Sequence, residues 1–212
     1  MSDYRDLEES ILNGEDEKVQ ALVKEYIDQR IDPMQLMTEG LITPMSIVGS
    51  KMKSGDMFIP EVLASAQAMR RGLELIKPLI VGEESSIYIG KVVLGTVEGD
   101  LHNIGKNIVS LMLESVGFNV IDVGEDINAN KFIEIVKQEN PDILGLSALL
   151  TTTMPCMKEV IEKLKDSGLR EKIKVMVGGA PVTQEFANSI GADGYASEAG
   201  SAAEKAKQLL GK

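Results

Sequence analysis

The chain has 212 residues, 43% of them hydrophobic, enough to fill one large core or two small ones and to exclude a disordered chain. A formal charge of −11 leaves no basic face for phosphates and argues against nucleic acid as a partner. No apolar run reaches the length of a membrane span, the acidic start MSDYRDLEES is unlike a signal peptide, and the single cysteine, Cys156, forbids an internal disulfide; a reducing cytoplasm is the expected home.

Residues 3–81 carry helical periodicity and no convincing strand. A helix opening at Asn13 or Asp16 places Val19, Leu22, Val23 and Tyr26 on one face. Asp32-Pro33 opens another, with Asp as N-cap and Pro at the first helical position. Its apolar residues run from Met34 to Met52, and Pro44 is expected to kink or split it. Pro60 opens a last helix with Val62, Ala66, Met69, Leu73, Ile76 and Ile80 on one stripe. The sum is a small four-helix bundle. Seven of the 11 methionines lie in the first 84 residues, as filling for an irregular core or as the lining of an apolar cavity. Met57-Phe58-Ile59-Pro60 puts three large apolar residues in a turn, either as a hydrophobic staple or as a surface pressed on a ligand.

The polar stretch Gly82 to Gly90 carries the boundary: residues 1–84 form the helical domain, 85–90 a linker and 91–212 a second domain. There the pattern alternates, with strands expected at 91–96, 119–122, 142–147, 173–178 and 193–196 and helices at 104–116, 129–139, 153–167, 183–190 and 199–210. This is an α/β fold with a five-stranded parallel sheet, in the flavodoxin-like order 2-1-3-4-5. The segments after strands one, three, four and five emerge at one edge, where such folds bind ligands. The loop after the second strand, Gly124-Glu125-Asp126, is placed on the outer side of the switch point.

His102 is the only histidine, on the turn after the first strand. Asp100 can accept its Nδ1 proton and leave Nε2 for a metal, the usual arrangement behind a metal-bound histidine. No second histidine and no cysteine pair completes a metal site, so a metal here arrives with its other ligands attached, as in a macrocycle. A structural, phosphorylated or general-base histidine is the alternative. Cys156 reads as a small buried hydrophobe.

Asp100-Leu101-His102-Asn103-Ile104-Gly105 resembles the DxHxxG signature of cobalamin-binding domains; Ser147-Ala148-Leu149 resembles their SxL motif and Gly178-Gly179 their GG motif. The helical half with Phe58-Ile59-Pro60-Glu61-Val62 resembles the cap over methylcobalamin in methionine synthase. Cap plus cobalamin domain is similar to the corrinoid proteins of methyltransferase systems for methylamines, methanol, betaines or aryl methyl ethers.

The resemblance implies a bound cobalamin or related corrinoid, with His102 as lower axial ligand to cobalt, Asp100 orienting it and Thr153 extending a proton relay. It places Gly99 to Gly105 around the cofactor, Ser147, Leu149 and Thr151 along the nucleotide tail, and Gly178, Gly179 and Ala199 beside that tail. Phe58 is placed over the upper face. The implied role is a methyl carrier without catalysis of its own. A substrate-specific methyltransferase loads it, and a second methyltransferase unloads it to tetrahydrofolate or coenzyme M. A reductive activase repairs the oxidised cobalt. A cobalamin-binding sensor is the rival, along with a radical mutase subunit.

Overall fold

The apolar periodicity of the N-terminal part becomes helices α1 (Arg5–Leu12), α2 (Asp16–Asp28), α3 (Pro33–Gln35), a π-helical segment (Leu36–Ile42), α4 (Thr43–Ser54) and α5 (Ile59–Ile76). These come from a computed structural model that describes residues 4–80 and 88–212, without the Lys53 side chain. Leu7 and Ile11, then Val19 and Val23, are i,i+4 pairs with no exposed surface, and α2 packs most extensively on α5. Asp32 caps its helix, its carboxylate accepting Gln35 N–H at 2.9 Å. Glu61 accepts Phe58 N–H at 2.8 Å and fixes the entry to α5. That entry divides its apolar residues: Met57 is buried, whereas Phe58 is 70% exposed.

Pro44, expected to kink or split its helix, does not split it. The chain winds without interruption from Pro33 to Ser54, and the turn before the proline is a π turn. Thr43 N–H reaches back to Thr38 O, so the turn before Pro44 is widened where an α-helical turn would bring the proline ring against the backbone.

The second unit is an α/β sandwich of β1 (Gly90–Thr96), α6 (Ile104–Ser115), β2 (Phe118–Asp122), α7 (Ala129–Glu139), β3 (Ile143–Ser147), α8 (Met154–Asp166), β4 (Lys174–Gly178), α9 (Gln184–Ile190), β5 (Gly194–Ala196) and α10 (Ala199–Leu209). The five strands are parallel in the order β2-β1-β3-β4-β5, as expected from the alternation. The inner strands β1, β3 and β4 are apolar through their middles because helices cover both faces; Val93, Leu144, Val175, Phe132, Met157 and Ile161 belong to one core. Thr96, Ser147, Gly178 and Ala196 stand side by side in register, so four strands end together. Compact grouping of the chain separates residues up to 87 from those from 88 onward, with 114–117 going with the first group. Residues 81–87, which include the first half of the expected linker 85–90, lie outside the described residues. Among the described residues no helix is long and apolar enough to cross a membrane.

Candidate functional site

The site is the loop from Val97 to Asn103, between the end of β1 and the start of α6. Its ends are tied to the sheet: Val97 N–H donates to Ser147 O at 3.0 Å, and the buried Thr96 hydroxyl donates to His102 O at 3.0 Å.

Asp100 is the centre of the loop. Its side chain has no exposed surface and accepts five hydrogen bonds. Oδ1 accepts His102 N–H at 3.1 Å and faces His102 Nδ1 at 2.7 Å. Oδ2 accepts the backbone N–H groups of Leu149 at 2.7 Å and Leu150 at 3.2 Å, and the Thr153 hydroxyl at 2.7 Å. Burial alone pushes a carboxyl up; here the donors from Leu149, Thr153 and His102 outweigh it and hold Asp100 well below the usual carboxylate range. An ionised carboxylate only accepts, so His102 Nδ1 is the donor of the pair and Nε2 is the ring nitrogen left over for a ligand. Among the described residues Nε2 has no hydrogen-bond partner, and the imidazole is half exposed.

Around the ring the surface is apolar where loops are normally polar. Leu101 is 70% and Ile104 77% exposed, and Leu149 and Leu150 are also open to solvent. Gly105 follows in the first turn of α6, and a Cβ there would meet nothing within 4 Å. Ser147 is half-buried at the end of β3, with no hydrogen bond from its hydroxyl among the described residues, and Thr151 is exposed in the next loop. Gly178 ends β4, where a Cβ would stand 3.0 Å from Ala196 O. Gly179 has φ +125°, and a Cβ would fall 1.9 Å from Ala148 O. Ala199 is the first residue of α10 and is half-buried. Gly99 and Asn103 flank the turn, Asn103 Nδ2 lying 3.4 Å from Glu125. Phe58 belongs to the helical unit, with its ring exposed.

Two groups escaped the sequence reading. The ammonium of Lys106 is buried, the residue only 3% exposed, and is paired with Asp122 at the end of β2 and with Asn107 at 2.9 Å. Its sequence signal is that Lys106 precedes Val109 and Leu113 by three and seven positions on the inward side of α6. The other is the loop after β2, which the strand order puts outside the switch point but which is hydrogen-bonded to the His102 loop. Gly99 N–H donates to Asp126 Oδ1 at 2.7 Å. No local pattern announces this pairing.

Among the described residues no cluster of three His, Cys, Asp or Glu could hold a bare ion. One imidazole with a fixed tautomer, set in exposed leucine and isoleucine beside a glycine that nothing fills, fits instead a flat macrocycle bringing its own metal ligands.

Residues 90–205 match the B12 binding domain family, and residues 4–77 match a second family, also described as a B12 binding domain. The chain is 44% identical over 214 residues to a corrinoid protein of Desulfitobacterium hafniense, covering 100% of this chain and 99% of that one. It is 46% identical over 206 residues to the dimethylamine corrinoid protein of Methanosarcina barkeri, covering 97% and 96%. Among solved structures, the methanol:cobalamin methyltransferase complex MtaBC from Methanosarcina barkeri matches with a TM-score of 0.90 and 34% identity, over 98% of this chain and 79% of that one. With its helical B12-binding cap and its α/β B12-binding domain, the chain belongs to the family of cobalamin-binding corrinoid proteins.

Proposed function

We propose that this chain carries methyl groups between two partner methyltransferases, with a methylated amine as their source and His102 as the protein ligand to the corrinoid's cobalt. The observation that carries the reading is the environment of Asp100: buried, ionised and bonded to His102 Nδ1, while Nε2 of the half-exposed ring has no partner among the described residues and Leu101 and Ile104 on the same stretch are exposed. Similarity along nearly the whole chain to a dimethylamine corrinoid protein supports the amine source.

When bound, the corrinoid supplies a cobalt centre that accepts a methyl group and gives it up. The chain binds, orients and shields. Asp100 holds the proton at Nδ1 throughout, and Thr153 fixes the second carboxylate oxygen. Leu101, Ile104, Leu149 and Leu150 bed the macrocycle and exclude water from its lower face. Gly105, the Ser147 and Thr151 hydroxyls, Gly178 and Ala199 take the nucleotide tail. Residues 1–84 would serve as the cap, with Phe58 as the side chain offered to the cofactor, and residues 91–212 as the corrinoid-binding domain. Tetrahydrofolate or coenzyme M receives the methyl group through the second methyltransferase, and a reductive activase restores oxidised cobalt.

The full chain, loaded with cob(II)alamin, should show electron paramagnetic resonance coupling to one histidine nitrogen, altered by 15N-histidine labelling and lost in His102→Ala. A signal unchanged in His102→Ala, or a cofactor still ligated by its own base, refutes the ligand assignment. Reduced holoprotein should be methylated from dimethylamine by a dimethylamine-specific methyltransferase. Loading from methanol or a methoxyarene, with none from amines, refutes the amine source.

A further inference from the structure

The loop after β2 has no task in the reading above, yet it is zipped along the loop that carries His102. Val123 N–H donates to Leu94 O at 2.9 Å, Thr96 N–H to Gly124 O at 3.0 Å and Ile127 N–H to Thr96 O at 3.0 Å, continuing the ladder past the end of β2. The Lys106–Asp122 pair ties the same segment to the first turn of α6. At the tip the pairing becomes reciprocal: Asp126 N–H donates to Asp100 O at 3.1 Å, and Asp126 Oδ1 accepts Gly99 N–H at 2.7 Å.

Asp126 holds this position in the left-handed region, with φ 57°, which costs a non-glycine residue energy. Among the described residues its carboxylate makes no other hydrogen bond than that to Gly99. The next helix, α7, is capped two residues later by Asn128, whose side chain accepts Lys131 N–H at 3.0 Å. The Asp126 carboxylate is exposed, so burial does not force its contact with Gly99.

We infer that Asp126 is a positioning residue for the axial ligand, gripping the backbone on both sides of Asp100 so that one carboxylate reaches the His102 ring and the 149–153 loop together. The inference rests on His102 being the cobalt ligand. Asp100 must meet Nδ1 at 2.7 Å on one oxygen and Leu149 N–H and Thr153 Oγ1 at 2.7 Å on the other. A small drift of residues 99–100 breaks one set or the other, and side-chain bonds alone do not locate the backbone that carries them.

Three substitutions separate the contributions. Asp126→Asn keeps an acceptor and tolerates the left-handed backbone; Asp126→Gly keeps the backbone without the acceptor; Asp126→Ala loses both. In the apo full chain, amide exchange at Gly99 should remain slow in Asp126→Asn and accelerate roughly tenfold in the Gly and Ala variants, the loss expected for one charge-assisted hydrogen bond. After loading with cob(II)alamin, the histidine-ligated fraction, read from nitrogen coupling, should match the native chain in Asp126→Asn and fall several-fold in the other two. Lowered melting temperatures with an undiminished histidine-ligated fraction would overturn the inference, since that is the mark of a merely structural turn. Absence of histidine coupling in the native chain itself overturns the ligand reading and this inference with it, a result distinct from full coupling in every variant.

Discussion

At the C-terminal edge of the sheet, one set of groups is satisfied inside the chain and another is left open. Gly179 belongs to the first set: its φ of +125° and the Ala148 carbonyl 1.9 Å from any added Cβ make glycine a requirement of the fold, with or without a ligand. Gly105 belongs to the second, because a Cβ there meets nothing and a glycine inside a helix costs stability for no internal return. The Asp100 carboxylate and the Lys106 ammonium are closed; His102 Nε2, the Ser147 hydroxyl and the exposed Leu101 and Ile104 are open. Groups of one motif thus divide by whether chain or ligand completes them. Substitution in the closed set should cost stability of the apo protein, and substitution in the open set should cost only binding.

The largest expected effect is that of Gly179→Ala, which must move the Ala148 backbone. It should destabilise the apo chain by about 3 kcal/mol or more, measured by denaturant unfolding of the α/β unit's signal. A near-native midpoint would break the division. Asp122→Ala comes next: it strands a buried ammonium with Asn107 alone, and should cost about 2 kcal/mol because Asp122 is itself partly exposed. Thr153→Val removes one of the five donors to Asp100 and should cost about 1 kcal/mol at neutral pH.

Thr153→Val also sharpens the comparison through pH. The Asp100 carboxyl is held below its unfolded value, so its contribution is complete above the ordinary carboxylate range near pH ~4 and is lost only as pH falls through the depressed folded value. With a donor gone the folded value rises, so the contribution is smaller and its loss should be complete at higher pH, seen as an earlier acid transition of the apo chain by circular dichroism. The smallest effect is Gly105→Ala: the apo chain should gain about 0.5–1 kcal/mol while retaining less corrinoid after gel filtration. A stability loss there would place Gly105 in the closed set.

Much of this was legible in the sequence because it is local. Strand–helix alternation and the parallel sheet follow from period and length, and an aspartate two residues before a histidine on one turn can face it whatever the rest of the chain does. Asp32-Pro33 marked a helix start correctly for the same reason. Pro44 does not split its helix because the turn before it is a π turn, and no residue pattern in the sequence marks that widening. Thr153 could be tied to Asp100 only through a family resemblance, since 53 residues separate the two and their 2.7 Å contact exists only once β1 and β3 lie side by side.

The sequence by itself determined the layers and the one imidazole that can bind a metal, because periodicity and residue chemistry act over a few residues, and the strand order followed from the handedness rule for parallel crossovers. Only the tertiary structure decided which partners complete them. Five donors converge on Asp100, Lys106 is buried against Asp122, Asp126 holds the His102 loop, and Gly105 faces open space while Gly179 does not. Those relations join residues distant in the chain, and they form only where the sheet's register sets their backbones within hydrogen-bond reach.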